Sequence, residues 1–293
     1  MTAPRTFAKP PHFAPSWLRA ILASRKSPKG EMTLPRLEMA LLPQPLDRPR
    51  LDAYRELTGF ADTPTLPPTW TQVACGALHM QMLTDPTFPL PAMGVVHLRN
   101  HIEQYAPIAV DAPLHYACHL EPVRVTDKGD EIDLVTVATV NDKVVWRAVI
   151  TMLSRARKVK RGTPPSKIAS AESTGPTTPL HTLDLRVPED LGRRYARVAG
   201  DFNPIHQHAL LAKPFGFPRA IIHGMWSLAR AVAACQDALP QTPYSIDVAF
   251  RKPVFLPSNV VLNVARGADG LEFVIANKSG KTVHLRGSIR PLK

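Results

Sequence analysis

The stretch YARVAGDFNPIHQHALLAKPFGFPRAIIHGMW, residues 195–226, contains the turning points from which the fold can be read. YARVAGD closes a helical run. Pro204 then breaks any helix and biases Asn203 away from the α region, so a loop follows. From Ala220 the chain enters AIIHGMWSLARAVAACQDAL, a long apolar segment without proline. In it Ile222, Met225, Trp226, Leu228 and Ala229 recur at helical spacing, as one buried helix face would. Four strand-like runs follow: YSIDVAF (244–250), NVVLNVA (259–265), LEFVIAN (271–277) and TVHLRGSI (282–289). Their alternation, and turns such as ADG and KSG, predict antiparallel strands joined by hairpins.

Upstream the same order of elements appears once more. HTLDLRV before the quoted stretch answers to RLEMALL (36–42), and the helical run answers to LDAYRELTGF (51–60). Tyr54 and Gly59 are five apart, as are Tyr195 and Gly200. TQVACGALHMQML (71–83) takes the place of the long apolar helix. GVVHLRNHI, HYACHLEPVRV, EIDLVTVATV and KVVWRAVITML then run to residue 153 as strands. Pro107 and Pro253 fall 31 and 29 residues after Gly76 and Gly224. This order predicts an internal duplication of an α+β unit, in each half a long helix packed on a strongly curved antiparallel sheet.

The halves are divided by SRARKVKRGTPPSKIASAESTGPTTP (154–179), whose Pro, Ser, Thr, Gly and Lys content reads as a linker. The expected organisation is a basic N-terminal tail or short helix (1–30), a first unit (31–154), a basic linker (155–179) and a second unit (180–293). The 293 residues carry 36 Lys and Arg against 24 Asp and Glu, but the excess is local. Residues 1–30 and 155–170 each hold six basic residues and no acid, so the remainder is balanced. A solvated tail and linker explain this better than a basic face for nucleic acid, which is not an expected partner. Within the tail, SWLRAILASRK reads as an amphipathic basic helix. Docking on the domain, a frayed end, a membrane-surface helix and an organelle presequence all remain open for it. No apolar run is long enough for a membrane span and no secretory signal is recognisable, so stable membrane insertion is not expected and the cytoplasm is the expected compartment. Cys75, Cys118 and Cys235 lie far apart and form neither a metal spacing nor a disulfide framework.

Chemistry concentrates in the quoted stretch. Asp201 and His206 are five apart with Asn203-Pro204 between them, and a loop can present both to one cavity. A carboxylate and an imidazole so placed suit acid/base work on a bound water, with Asn203 positioned to hydrogen-bond Asp201. The same D-x-N-P is also an ordinary turn sequence. Gly224 opens the long helix, where backbone N–H groups lack an internal acceptor; its amide can donate to an oxygen gaining negative charge. Close packing of helix on sheet accounts for a glycine there equally well. His208 reads as solvent-facing or structural, and His223 as lining the helix start.

GDFNPIH followed by GFPRAIIHG resembles the signature of the MaoC-like dehydratase, or type 2 (R-specific) enoyl-CoA hydratase, family. The resemblance implies the hot-dog fold, a long helix wrapped by an antiparallel sheet, here in tandem (double) form. It implies Asp201 and His206 as the catalytic pair, Asn203 as their support and Gly224 as the oxyanion N–H. The first half departs from the pattern: Phe60 follows Gly59, and FADTPTLPPTW has no histidine. One active site per double hot dog follows, with the first half supplying pocket walls, and a homodimer of double hot dogs is a compatible assembly. The implied reaction is reversible hydration of trans-2-enoyl thioesters in fatty acid metabolism, on CoA or acyl-carrier-protein substrates. It needs no metal or redox cofactor; coenzyme A enters only as part of the substrate. Arg219, Arg251, Lys252 and Lys213 are candidates for the carrier's phosphates, and Phe217 for limiting the acyl pocket. A hot-dog thioesterase and a non-catalytic acyl-CoA binding module are the competing readings.

Overall fold

The computed structural model describes residues 4–12, 33–90, 95–154 and 177–292. Most of the segment read as a basic tail and nearly all of the linker lie outside these residues. The described strands are β1 (Arg5–Phe7), β2 (Glu38–Leu41), β3 (Val95–Gln104), β4 (His115–Leu120), β5 (Arg124–Thr126), β6 (Gly129–Val140) and β7 (Lys143–Ser154), then β8 (Thr178–Val187), β9 (Tyr244–Phe250), β10 (Ser258–Gly267), β11 (Gly270–Asn277) and β12 (Val283–Pro291). They form one sheet in the order β1-β2-β4-β6-β7-β3-β9-β12-β11-β10-β8, with β5 paired to β6. Leaving aside β1 and β5, the order β2-β4-β6-β7-β3 is repeated in reverse as β9-β12-β11-β10-β8. The expected duplication is therefore present as two five-stranded units joined edge to edge. At the seam β3 and β9 run antiparallel, from Arg99 opposite Ala249 to Gln104 opposite Tyr244.

The helices are α1 (Arg48–Thr58), α2 (Trp70–Ala74) and α3 (Gly76–Leu83) in the first half, and α4 (Leu191–Ala199), α5 (Ala209–Ala212) and α6 (Gly224–Ala234) in the second. In α6 Trp226, Leu228, Ala229, Ala231 and Val232 are buried, while in β11 Leu271, Phe273 and Ile275 turn inward between less buried neighbours. Each fully buried Leu, Ile or Phe contributes about 1.5–3 kcal/mol. Helix and sheet therefore hold each other in place.

The helices α1 and α4 end alike. Gly59 and Gly200 take up left-handed conformations, with φ of 82° and 76°, and each returns its N–H to the carbonyl four residues back. Each half also caps the other. Arg50 of α1 donates to Val198 O near the end of α4 (2.6 Å). Arg230 and the Trp226 indole of α6 donate to Thr58 O and Leu57 O at the end of α1 (both 2.8 Å). Cations at helix C-termini meet both the orphan carbonyls and the negative end of the dipole.

Four details depart from the sequence reading. Arg5–Phe7, inside the expected tail, is an edge strand parallel to Met39–Leu41; three residues are too few to show a period. β8 begins at Thr178, two residues ahead of the expected start of the second unit at 180. The helix over 71–83 is interrupted at Cys75. Ile222 precedes α6 instead of sitting on its face, because its N–H bonds Val254 O (2.9 Å), outside the helix.

Candidate active site

The loop after Gly200 is built by two short side chains. Asp201 Oδ1 accepts the Asn203 N–H (3.2 Å), and Asn203 Oδ1 accepts the Ile205 N–H (3.3 Å), capping a single 3₁₀ turn over Pro204–His206. Asn203 thus supports Asp201 through its backbone, while its side chain is engaged in capping. That turn seats His206 in the interior. Its Nδ1 donates to Ile221 O (2.8 Å), which leaves a lone pair on Nε2 in the neutral ring. α4 comes so close that a Cβ on Gly192 would stand 2.1 Å from His206 O.

His206 Nε2 lies 3.9 Å from Asp201 Oδ2, too far for a direct hydrogen bond. His206 is 8% exposed, whereas the Asp201 side chain is 44% exposed and opens to solvent. Burial pushes the His206 pKa down; the Asp201 charge and the bond to Ile221 O oppose that. His223, read from sequence as lining the helix start, has a larger part. Its Nε2 donates to the Asp201 main-chain O (2.8 Å), and its ring stacks on His206 at 3.7 Å. Burial and the neighbouring His206 bring its pKa down to about 3, so both rings are neutral at pH 7. His208 caps α5, accepting the Leu210 N–H (3.2 Å), a structural role.

Gly224 is the first residue of α6, and its N–H has no intrahelical acceptor. The Phe250 ring closes one side: a Cβ on Gly224 would lie 3.0 Å from it. Arg251 and Lys252 follow Phe250 directly and are exposed, which puts both at the edge of this region. Arg219 is held elsewhere, donating to Pro257 O (3.2 Å) with its guanidinium over the Phe255 ring. Phe217 is half-buried behind α5, with its N–H on Ala212 O. Lys213 is exposed at the end of α5. No contact brings Arg219, Phe217 or Lys213 to Asp201 among the described residues.

The loop after Gly59 has a different use. Buried Arg55 binds the Asp62 carboxylate and the carbonyls of Thr63 (2.7 Å) and Thr65 (3.1 Å). A cavity of about 470 Å³ opens there, lined among others by Phe60, Thr65, Gln104, Gln241 and Tyr244. Its walls carry no carboxylate, imidazole or cation.

The profile of the family described as "MaoC like domain" matches residues 170–284, the half that carries Asp201 and His206. The chain is 34% identical over 259 residues to 3-hydroxyacyl-thioester dehydratase X of Mycobacterium tuberculosis, covering 88% of this chain and 91% of that protein. The chain belongs to the MaoC-like dehydratase family. It is a hydro-lyase, as the names of its relatives are. A second M. tuberculosis relative, enoyl-CoA hydratase ChsH3, is 28% identical over 198 residues, 63% of this chain and 65% of that one. The crystal structure of M. tuberculosis HtdX superposes with a TM-score of 0.74 at 32% identity, over 87% of this chain and all of that one. The tandem hot-dog architecture expected from the sequence is thereby shown.

Sequence reasoning did not find what the first half brings to this region. His97 of β3 packs against Phe250 at 4.6 Å and feels the Asp201 charge. Asn100 of β3 donates to Met225 Sδ (3.3 Å), next to Gly224. No linear signal marks either residue, since both depend on β3 lying beside β9.

Proposed function

We propose that this protein reversibly hydrates trans-2-enoyl thioesters to (R)-3-hydroxyacyl thioesters in fatty acid metabolism, with coenzyme A as the carrier. The observation that carries the reading is the gap of 3.9 Å between Asp201 Oδ2 and the lone pair of His206 Nε2, which suits one water held by both. The relatives' activities, on 3-hydroxyacyl thioesters and enoyl-CoA by name, support the same substrate class.

In hydration the water oxygen bonds C3 while Asp201 takes one of its protons. The π pair moves toward the thioester oxygen, where the Gly224 N–H receives the developing charge. The proton then returns from Asp201 to C2, which closes the balance of one water added. His206 orients the water as an acceptor: its Nδ1 proton is committed to Ile221 O, and burial makes its Nε2 a poor resting place for another. Asp201, His206 and His223 lie close enough together to suggest a metal site. The His223 Nε2 proton is committed to Asp201 O, however, so water and general acid/base chemistry fit better than a metal. In this reading Arg251 and Lys252, both exposed and next to Phe250, are the cations that meet the phosphates of coenzyme A. The three cysteines are free and buried, which fits a reducing compartment such as the cytoplasm.

The test is loss of the conjugated-enoyl absorbance of crotonyl-CoA, with chiral analysis of the product. Disappearance of absorbance without free thiol, giving the (R)-alcohol, is expected. Release of free thiol would make the protein a thioesterase. An (S)-product would overturn the stereochemical assignment, and turnover only of acyl-carrier-protein thioesters would overturn the carrier.

A further inference from the structure

Two buried polar atoms that this chemistry does not use sit on β3, in the first half. His97 Nε2 and Asn100 Oδ1 are buried without a hydrogen-bond partner among the described residues. The register shift of β3 against β7 falls between His97 and Arg99. It brings His97 onto the inward face that Asn100, Ile102 and Gln104 continue.

Both residues reach the start of α6. His97 packs on Phe250, whose ring covers Gly224, and Asn100 touches Met225. Both orphan atoms are acceptors. The Asn100 amide N–H is engaged by Gln72 Oε1 (2.8 Å) and Met225 Sδ, leaving the oxygen free. His97 hydrogen-bonds the Arg99 backbone, and burial keeps it neutral with a pKa of about 4. With Nε2 unpartnered, the bond to Arg99 belongs to Nδ1, so Nε2 holds a lone pair. A buried acceptor without a donor is unfavourable, and a ligand N–H or O–H would relieve it.

On an acyl thioester the donor nearest the reacting carbonyl is the first amide N–H of the pantetheine arm, two carbons beyond the sulfur. It is common to coenzyme A and acyl-carrier-protein substrates. The product's 3-hydroxyl is the other donor, but it belongs at the water position between Asp201 and His206. We propose that His97, seconded by Asn100, accepts the first pantetheine amide N–H and so fixes the thioester oxygen at Gly224. The first half is then a substrate-binding partner of the second. This inference rests on the thioester reading above.

The experiment compares two crotonyl thioesters that differ in one atom. S-crotonyl-N-acetylcysteamine keeps the amide, and S-(2-acetoxyethyl) thiocrotonate has an ester oxygen in place of the N–H. The wild type should prefer the amide by about tenfold in kcat/KM, mainly through KM. His97→Phe keeps the packing on Phe250 and should shrink that preference to within about twofold, while His97→Gln, which restores an acceptor, should recover part of it. A preference unchanged in His97→Phe overturns the proposal. Calorimetric binding of the same two compounds to Asp201→Asn, with and without His97→Phe, reads the contact without turnover. An amide preference lost only when His97 is replaced supports the contact even if the wild type hydrates nothing, in which case the hydratase reading alone falls. Equal binding of the two compounds to Asp201→Asn overturns the contact whatever the activity.

Discussion

After Gly59 the chain runs Phe-Ala-Asp-Thr-Pro-Thr, and after Gly200 it runs Asp-Phe-Asn-Pro-Ile-His. Both loops leave a helix through a left-handed glycine, and both follow a buried tyrosine five residues earlier; the Tyr54 and Tyr195 rings lie 6.3 Å apart. What differs is where the polar groups go. In the first loop Asp62 is turned back onto Arg48 and Arg55, a clamp on the loop's own backbone. In the second, backbone bonds take up Asn203 and one nitrogen each of His206 and His223, so that Asp201 Oδ2 and His206 Nε2 remain without a bond to each other. The scaffold alone does not make a catalyst. In the proposed reading the two duplicated frames differ in activity because one loop leaves a carboxylate and an imidazole without a bond to each other and the other ties its carboxylate to arginines.

The comparison can be broken most sharply at the position six residues past each glycine. His206→Gln should lower kcat by about 10²–10⁴, while Thr65→Ala in the first half should leave kcat within about twofold. Steady-state rates on one enoyl thioester read both. Comparable losses would mean that the first loop also acts.

The paired helix starts give the next contrast. Gly224→Ala would place a methyl 3.0 Å from the Phe250 ring, beside the N–H proposed to receive the thioester oxygen, whereas Gly76→Ala meets nothing closer than Ala199 O at 3.5 Å. The first should cost about 10–100-fold in kcat. The second should leave kcat alone and shift stability by up to about 1 kcal/mol in the favourable direction. Thermal denaturation beside the rates separates the two.

Acid should affect both halves. Burial holds His79 near 4 in the first half and His223 near 3 in the second, both below the ordinary 6.5. The unfolded chain binds these protons first. Stability is therefore complete above about pH 6.5 and falls as pH drops toward 4, by about 1.4 kcal/mol per pH unit for each histidine at most. His79→Gln and His223→Gln should each flatten the denaturation midpoint against pH. Flattening by only one of them would show that the two cores are not equivalent.

The last contrast concerns the reciprocal caps. Arg50→Met and Arg230→Met should each cost about 1–3 kcal/mol in chemical denaturation, because each leaves a helix-end carbonyl of the opposite half unpaired. A large difference between them would show that one half depends on the other more than the reverse.

Most of this architecture was legible in the chain. The duplicated order of elements, the hairpins at Ala268-Asp269-Gly270 and Lys278-Ser279-Gly280, and the D-x-N-P loop with His206 are local patterns, and local patterns survive in sequence. Long-range pairing was not legible. Ile222 reads as helical until its N–H is seen on Val254 O, and Arg5–Phe7 reads as tail until it is seen beside β2. His223 looks like lining because its partner is the main-chain oxygen of Asp201, which leaves no trace in side-chain spacing. The proposed contribution of His97 and Asn100 needs the β3–β9 seam, which pairs Asn100 with Val248, 148 residues away in sequence.

The central claim is that one loop of two carries the reaction, and the most direct measurement sets Asp201→Asn beside Phe60→Ala. Both positions follow the left-handed glycine, and both variants are read by loss of enoyl absorbance from crotonyl-CoA against the wild type. Loss of about 10²–10⁴ in rate for Asp201→Asn, with Phe60→Ala within a few-fold of wild type, is the predicted result. Near-wild-type turnover by Asp201→Asn, or an equal collapse in Phe60→Ala with its fold intact, would contradict the account.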